Sequence, residues 1–383
     1  MKIAYISTTY FADVDFCFLR ELSKKTDVTY VLLYNRNDNA TICNFDNCYH
    51  KTGLFKANIY PKLNKYKDFV DLKKMYILNI NSNKSYSIRF IWAYIQLFIF
   101  LLKGKFDIIH ITKPLDYFEY ILYAFRKKIV FSIHDPIDHS SSINKRYLFN
   151  KWLSVKLLNN YIVYNKNQVD DFFKYFNIPK NKKKILVSNL SCYNCLHANK
   201  PKLVNMPQKF VLFFGTVNTY KGLEFLFPAI KEIHKTDPQT TFVIAGKGNY
   251  YFDISEYKNL KYIDIRNRFI PDDELVGLIQ NCQFCILPYV DATQSGVVMS
   301  AFAFNKPCIV TNVGGLPEMV KDKYYGLVIP PRNTQAIVDS VNYLLTHQQE
   351  LLKMSNTIKN DFRNGNLSWS VVANNTIEFY KSI

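Results

Sequence analysis

The sequence predicts an α/β protein made of two Rossmann-like, doubly wound domains. Short runs of β-branched and aromatic residues alternate with helix-length segments along the whole chain, which is typical of parallel sheets. The runs are almost continuously apolar, as expected of strands covered on both faces. The chain is 383 residues long. One hydrophobic core rarely serves a chain of that length, so we expect two domains.

Six candidate strands lie in each half of the chain. The first six are "KIAYIST", "VTYVLLY", "DIIHIT", "KIVFSIH", "YIVYN" and "KILVSN". The second six are "FVLFFG", "TTFVIAG", "LKYIDI", "FCILPY", "CIVTNV" and "GLVIP". Between them, residues 191–207 are polar and contain prolines, which indicates a linker. We therefore expect an N-terminal domain at 1–190, a C-terminal domain at 208–367 and a final helix at 368–383.

The net charge of +18 is almost confined to the first half of the chain. Residues 1–205 carry 32 Lys and Arg against 15 Asp and Glu, whereas residues 206–383 carry 17 against 16. This asymmetry favours an anionic partner, and a membrane surface is a better candidate than nucleic acid because no basic-aromatic RNA-binding signature is present. A coding bias toward lysine is the alternative, and the sequence leaves it open.

The eight cysteines include two C-x-x-C pairs, at Cys192 and Cys195 and at Cys282 and Cys285. A zinc site would need the two pairs together, but the second pair lies in an apolar strand, so we expect buried thiols and no metal site. No signal peptide begins at Met1, which favours a cytoplasmic location. The longest apolar run, residues 90–102, is too short to span a bilayer. A buried helix is favoured there, with an aromatic face at the lipid interface as the alternative.

Ligands of open α/β sheets bind beyond the carboxyl ends of the strands, so we expect a cleft between the domains, lined by the loops that follow each strand. In "FFGTVNTYKGLEFL", Lys221 and Gly222 open a helix just after a strand. A lysine beside the free N–H groups of a helix start favours a phosphate. A solvated surface lysine is the alternative.

The loop "VDATQSG" leads from a strand into the helix "VVMSAFAF". Its Ser295 and Gly296 amides predict a second anion cradle at the helix N-terminus. Asn305 is expected to end the helix in a left-handed conformation, because Pro307 prevents continuation. In "FVIAGKG", Gly246 and Gly248 allow a ligand to approach the backbone closely, although a lone G-x-G is weak evidence.

Histidines follow two strands of the basic half. His134 directly follows "FSI" and is a candidate acid, base or sugar-hydroxyl ligand. A histidine satisfied by local hydrogen bonds with Asp135 is the alternative. His110 is similarly placed. Asp13 and Asp15 resemble a metal-binding D-x-D, but they open a helix, so N-capping is the better interpretation.

These motifs resemble the family-4-type retaining glycosyltransferases of glycosyl transferases group 1, which have the two-domain GT-B fold. The resemblance is carried by "FSIHD", "FGTVNTYKG", "FVIAGKG", "NRFIPDDEL", "AFAFNKP", "NVGGLPE" and a closing "LSWSVVANNTIEFY". It implies that the first domain binds the acceptor, the second binds a nucleotide-sugar, and the last helix crosses back to the first domain. It further implies metal-independent sugar transfer with retention at the anomeric carbon, as in surface polysaccharide synthesis.

The resemblance gives each candidate residue a role. Lys221 would hold the donor diphosphate, and His134 would lie where donor sugar and acceptor meet. Phe269 and Ile270 would line the base pocket. The other donor-side candidates are Gly215, Thr216, Gly246, Gly248, Thr293, Gln294, Ser295, Gly296, Val297 and Ser300. The acceptor-side candidates are Asp13, Asp15, His110 and Asp135. The partners implied are a nucleotide-sugar, which is a co-substrate and leaves no cofactor, and a glycan or polyprenyl-diphosphate-linked acceptor.

The chain departs from this family at charged positions. Thr216 stands where the family usually has an arginine, and Ala292 and Ser300 stand where it usually has two glutamates. The glycine-rich first loop is replaced by "TTYFADVD". A divergent active enzyme with "ATQSG" in the donor loop, a non-catalytic nucleotide-sugar-binding subunit and a nucleotide-sugar epimerase on the same fold all fit these departures, and we favour the first.

Overall fold

The chain divides into two α/β units, each built around its own sheet. In the computed structural model, the described residues are 1–35, 51–80, 88–134, 145–164, 166 and 168–383. The first unit comprises Met1–Ser191 together with Trp369–Ile383, and the second comprises Cys192–Ser368. Each unit has its own sheet and its own apolar core, so the fold class predicted from the sequence is confirmed.

The sheet of the first unit has eight strands among the described residues, in the order β3-β4-β2-β1-β5-β6-β7-β8. They are β1 (Lys2–Thr8), β2 (Asp27–Asn35), β3 (Gly53–Lys56), β4 (Met75–Ile80), β5 (Ile108–Ile111), β6 (Ile129–Ile133), β7 (Asn160–Val163) and β8 (Lys184–Val187). Edge strand β3 pairs with β4 in the antiparallel sense, whereas the other pairs are parallel.

The sheet of the second unit is parallel and has six strands, in the order β11-β10-β9-β12-β13-β14 among the described residues. They are β9 (Phe210–Phe214), β10 (Thr241–Ala245), β11 (Ile263–Arg266), β12 (Cys285–Leu287), β13 (Cys308–Thr311) and β14 (Gly326–Ile329). The chain order reverses direction between β9 and β12, which makes the carboxyl ends of these strands the expected place for a ligand.

Helices cover both sheets. They are α1 (Ala12–Leu22), α2 (Ile88–Gly104), α3 (Lys145–Leu157), α4 (Gln168–Tyr175), α5 (Leu223–Thr236), α6 (Asp272–Asn281), α7 (Gly296–Ala303), α8 (Leu316–Val320), α9 (Thr334–Thr346), α10 (Gln348–Arg363) and α11 (Trp369–Lys381). A 3₁₀ helix at Tyr117–Phe125 lies between α2 and α3 in the sequence. No helix among the described residues is long and apolar enough to cross a membrane.

Side chains that alternate along β1 explain the two helical layers of the first unit. Ala4 and Ile6 belong to the core cluster that also contains the buried residues of α2. Tyr5 points to the other face, where its ring lies 5.9 Å from that of Phe18 in α1. Helix α11 packs beside α1 on this second face, with the Trp369 ring 6.0 Å from Phe18. The last helix therefore returns to the first unit.

The structure differs from the sequence-based boundaries between the domains. Most of the segment predicted as a linker, 191–207, belongs to the second unit and contains buried residues. Its Tyr193 amide donates a hydrogen bond of 3.2 Å to the Met299 carbonyl oxygen. His197 Nε2 likewise lies 2.9 Å from the Ala303 carbonyl oxygen. In the first unit, strands β3 and β4 were not predicted. Asn305 does adopt the expected left-handed conformation after α7, with φ of 57°.

Candidate functional site

The loops at the carboxyl edge of the second sheet pack tightly against one another. Gly222 has φ of 66°, and a Cβ there would lie 1.9 Å from the Pro288 carbonyl oxygen. A Cβ at Gly314 would lie 1.4 Å from the Ala292 carbonyl oxygen. Only glycine fits at these two positions. The loops after β9, β12 and β13 are therefore held together as one platform.

Lys221 is buried in this platform, immediately before Gly222. Its side chain is 7% exposed, and its ammonium lies 3.7 Å from the ring centroid of Tyr289 and 4.7 Å from that of Tyr220. Within the described part of the chain, no carboxylate forms an ion pair with it. Burial lowers the pKa of Lys221 to about 7. The group is therefore a desolvated cation supported by two aromatic faces.

A buried cation without a counter-ion is costly, since aromatic rings replace only part of the lost hydration. A bound anion would supply the missing charge and would raise the pKa of Lys221 again. Lys221 lies in the loop after β9, as expected from the sequence. Its burial excludes the alternative of a solvated surface lysine. Its environment therefore suits an anionic ligand.

The N-terminus of α7 adds a second source of positive potential. Ser295 is the N-cap residue, yet its side chain makes no capping hydrogen bond. The hydroxyl groups of Ser295 and Tyr289 are both buried, and neither has a hydrogen bond of good geometry to any described residue, although the two groups lie close enough to affect each other. The first N–H groups of a helix lack partners within the helix and attract anions. These features are consistent with the predicted anion cradle.

The structure brings several other donor-side candidates to this edge. A Cβ at Gly215 would lie 3.5 Å from Val297 Cγ2, so the loop after β9 contacts the start of α7. Gly246 and Gly248 pack against the same loop, because a Cβ on either would lie within 2.2 Å of a carbonyl oxygen, that of Gly215 or that of Val217. Thr216 is exposed, as suits a residue that faces a ligand or solvent.

The candidate residues of the donor loop, including the two that stand at the glutamate positions of the resemblance, Ala292 and Ser300, have different environments. Thr293 is buried and Gln294 is half-buried. Ser300 donates a hydrogen bond of 2.8 Å to the Gly296 carbonyl oxygen, one turn back in α7. Its hydroxyl proton is therefore committed to the helix backbone, and only its lone pairs remain for a ligand. Ala292 is buried, 5% exposed, and offers no polar group.

The loop after β11 presents Phe269 to solvent, with 53% of its side chain exposed, beside the buried Ile270. Arg266 and Arg268 both bind Glu274 Oε1, at 2.9 and 2.6 Å, and so fix the loop to the start of α6. These hydrogen bonds hold the pKa of Glu274 below its usual value against the effect of burial. The loop thus holds an aromatic ring at the sheet edge, as expected of a base-stacking residue.

His134 directly follows β6 in the first unit, as predicted. Its ring is stacked between Phe11, at a centroid distance of 3.9 Å, and Tyr164, at 4.8 Å. The Nε2 atom is buried and has no hydrogen-bond partner among the described residues. Burial lowers the pKa of His134 to about 3. The imidazole is therefore neutral near pH 7 and oriented by two rings. Asp135, the local partner considered from the sequence, lies outside the described residues.

His110 is not an acceptor-facing residue, contrary to the prediction. It lies within β5 and is fully buried, with Nδ1 bonded to the Tyr380 hydroxyl and Nε2 2.7 Å from Ser132 Oγ. Burial, and secondarily the proximity of His134, lowers the pKa of His110 to about 3. Its role in the structure is to join the sheet to α11.

The two aspartates also differ from expectation. Asp15 is fully buried and accepts hydrogen bonds from the Tyr5 hydroxyl at 2.8 Å and the Tyr30 hydroxyl at 3.1 Å, so it does not face an acceptor. Burial raises the pKa of Asp15 to about 7 despite these hydrogen bonds. Asp13 lies in the first turn of α1, but the N-cap is Phe11, so the predicted N-capping role is also wrong. No metal-binding group is found among the described residues.

Sequence reasoning missed the aromatic residues that frame the two candidate groups. Tyr289 ends the predicted strand run "FCILPY", and its place beside a lysine of another loop is visible only after folding. Phe11, at the end of a short 3₁₀ helix after β1, and Tyr164, directly after β7, are more than 100 residues apart in the chain. The available signal was weak: each aromatic residue lies within three residues of a strand end on the ligand edge.

A family model described as glycosyl transferases group 1 matches residues 208–347, within the second unit. An uncharacterized glycosyltransferase of Methanocaldococcus jannaschii is 25% identical over 300 residues, which cover 72% of this chain and 75% of that protein. Two solved structures resemble the whole fold. HepE of Anabaena, in complex with UDP-glucose, has a TM-score of 0.66 at 13% identity, with 100% of both chains covered. UDP-GlcNAc 2-epimerase of Neisseria meningitidis, bound to UDP-GlcNAc, has a TM-score of 0.60 at 14% identity, again with 100% of both chains covered.

At such low identity, the two solved structures show the fold alone. The match to a family model and the similarity to a glycosyltransferase concern the sequence itself, and the match falls on the unit that contains Lys221 and α7. Together these findings support a glycosyltransferase of the GT-B fold.

Proposed function

We propose that the protein is a retaining glycosyltransferase that moves a sugar from a nucleoside-diphosphate donor to a growing glycan or a lipid-linked oligosaccharide. The observation that carries the proposal is the buried Lys221, which no carboxylate neutralises among the described residues. A diphosphate is the anion that fits a cation next to a helix N-terminus. The match of the same segment to glycosyl transferases group 1 supports a sugar nucleotide as its carrier.

In this proposal, charge on the chain itself assists departure of the nucleoside diphosphate. Negative charge develops on the diphosphate as the bond to the sugar breaks. The Lys221 ammonium and the N–H groups at the start of α7 would stabilise that charge without a metal ion. Phe269 would stack on the base, since its exposed ring lies on the same edge of the sheet. HepE is in complex with UDP-glucose and the Neisseria epimerase is bound to UDP-GlcNAc, which makes uridine nucleotides the first to test.

Neutral His134 is proposed to accept a hydrogen bond from a sugar or acceptor hydroxyl. Its Nε2 atom has no hydrogen-bond partner among the described residues, which supports this role, because a buried ring nitrogen without a partner is costly unless a ligand supplies one. The acceptor is proposed to be a glycan chain, either free or carried on a polyprenyl diphosphate.

An epimerase is the second candidate, because the Neisseria UDP-GlcNAc 2-epimerase shares the fold over the whole chain. The donor loop favours transfer over epimerisation, since Ala292 and Ser300 supply no carboxylate that could remove a proton from a sugar ring carbon. A nucleotide-sugar-binding subunit without catalysis is the third.

The test is an incubation of the protein with a panel of nucleotide-sugars and a membrane extract, with and without EDTA. We expect release of one nucleoside diphosphate that depends on the extract and survives EDTA, and a product with the donor's anomeric configuration by NMR. Binding of a donor without release would replace the proposal with the binding subunit. Interconversion of the donor sugar would replace it with the epimerase.

A further inference from the structure

Helix α2 carries an exposed apolar stripe. Its members are Ile88, Trp92, Ile95, Ile99 and Leu102, and each is at least 37% exposed. The spacing of four and three residues places them on one side of the helix. The opposite side packs into the core of the first unit through Ala93, Leu97 and other buried residues. The stripe is therefore not the core-facing side of an ordinary amphipathic helix.

Helix α3 repeats this composition in the same layer. Its exposed large side chains are Tyr147, Phe149, Trp152 and Leu157. The rings of Phe149 and Trp152 are stacked at a centroid distance of 5.9 Å. The 3₁₀ helix at Tyr117–Phe125 joins α3 to α2, because the Tyr123 hydroxyl lies 2.9 Å from Ser154 Oγ and Tyr94 donates to Glu119. We name the exposed residues of these two helices the α2–α3 face.

The charged groups of the α2–α3 face are all cationic. Neither helix contains Asp or Glu, and the exposed charges are Arg89 and Lys103 on α2 and Lys145 and Lys156 on α3. Gln96 does not break the apolar stripe, since its Oε1 accepts a hydrogen bond from the Leu54 amide inside the unit. Such a face is apolar in the middle and positive at its ends.

We propose that the α2–α3 face binds the interface of an anionic lipid bilayer. Aromatic and aliphatic side chains combined with Lys and Arg are the pattern of helices that lie in the headgroup region. No helix among the described residues, α2 included, is long and apolar enough to cross a membrane, and one side of α2 packs in the core of the first unit, so the interfacial position fits it. A second copy of the chain fits less well, because a twofold contact would bring this wholly cationic face against itself. This role rests on the proposed function: the α2–α3 face would be the surface at which the protein meets a lipid-linked acceptor.

The test is flotation with two kinds of vesicle, phosphatidylcholine alone and phosphatidylcholine mixed with phosphatidylglycerol, without any nucleotide-sugar. We expect the full chain to float with the anionic vesicles and far less with the neutral ones. The double variant Trp92→Glu and Ile99→Glu should lower vesicle affinity at least about tenfold. The matched control is Leu352→Glu, at a leucine 62% exposed on α10 of the second unit, which should bind as the wild type does.

A second variant keeps the apolar stripe intact. Lys103→Gln with Lys156→Gln should lower affinity for anionic vesicles about tenfold and remove most of the difference between the two vesicle types. Circular dichroism and sedimentation check that each variant is folded and whether the wild type self-associates. Wild-type protein that ignores anionic vesicles, or equal losses in the face and control variants, would overturn the proposal. So would a wild-type dimer that the face variants dissociate without any vesicle binding. Release of nucleoside diphosphate with a water-soluble acceptor tests the proposed function separately.

Discussion

Each unit buries an ionisable group near the carboxyl edge of its sheet, and the two groups are treated differently. In the first unit, the carboxyl group of Asp15 receives hydrogen bonds from Tyr5 and Tyr30. In the second, the ammonium of Lys221 lies beside the rings of Tyr220 and Tyr289 and forms no ion pair with any described carboxylate. Burial moves the pKa of both groups to about 7.

Under the proposed function, this difference separates a structural polar group, Asp15, from a ligand-binding group, Lys221. Hydrogen bonds from within the unit leave Asp15 with little to offer a ligand. Lys221 has no such bonds among the described residues, so the aromatic rings offset only part of its desolvation and a bound anion would offset the rest. A shifted pKa alone would not distinguish the two groups, whereas their partners do. The following predictions test that distinction.

The largest effect is expected for Lys221→Met. Removing the ammonium deprives the donor diphosphate of its charge partner, so we expect about a 100-fold or greater loss of affinity for the nucleotide-sugar. Isothermal calorimetry with UDP and UDP-sugars measures it. The matched control is Lys209→Met, since Lys209 already pairs with Asp237 at 2.6 Å. An equal loss of affinity in both variants would show that it comes from the lower net charge of the unit and not from the loss of the Lys221 ammonium at the site.

The stability of the second unit should also reveal the unpaired lysine. The pKa of Lys221 is about 7 in the folded protein and ordinarily 10.5. Between these values the unfolded chain binds more protons, so the wild type gains stability as pH rises from about 7 to about 10, and below pH 7 the penalty is complete. Lys221→Met should lack this gain. Urea unfolding of both proteins across that pH range measures the free energy of unfolding. If this free energy changes with pH equally in the two proteins, the Lys221 ammonium is not desolvated in the folded state.

Asp15→Asn should remove a pH dependence from the stability of the first unit and leave nucleotide affinity unchanged. The pKa of Asp15 is about 7 in the folded protein and ordinarily 3.8. Between these values the folded protein binds more protons, so the wild type loses stability as pH rises from about 4 to about 7, and the neutral amide should not. Asp13→Asn serves as the control, because Asp13 lies in the first turn of α1 and is only half-buried. Urea unfolding of the wild type and both variants from about pH 4 to about pH 8 compares them. A loss of nucleotide affinity in Asp15→Asn would erase the contrast between the two groups.

Tyr289 supplies the aromatic ring closer to Lys221, and it was not among the site residues predicted from the sequence. Tyr289→Leu removes the closer aromatic face from Lys221 and should weaken nucleotide binding about 3- to 30-fold, whereas Tyr289→Phe keeps the ring and should change it little. Competition with a fluorescent nucleotide measures both. If Phe and Leu weaken binding equally, the tyrosine hydroxyl rather than the ring supports the site.

The fold was predictable where local pattern and burial agree. The apolar runs located the described parallel strands other than β4, because those strands are covered on both faces. Asn305 marked the end of α7 because few residues tolerate its left-handed conformation. Strand β3 was missed because it is a short edge strand of four residues that begins at Gly53. The partners of His110 were out of reach, since Tyr380 is 270 residues away in the sequence. Which side chains lose water, and which find a partner, depends on such distant contacts.

The smallest effect is expected at Ser300. The family resemblance placed it where a glutamate usually grips the donor ribose, but in this structure its hydroxyl donates to the Gly296 carbonyl oxygen. Ser300→Ala removes a hydrogen bond within α7 and leaves Lys221 untouched, so nucleotide affinity should fall less than about threefold. Ser300→Glu places a glutamate where the family resemblance has one, and so restores both the carboxylate and its reach. If that variant binds a nucleotide-sugar more tightly while Ser300→Ala does not change it, the pocket retains room for the ribose contact. If Ser300→Ala alone costs tenfold or more, the hydroxyl turns from the helix to the donor when the donor binds, and the site is less preformed at α7 than at Lys221.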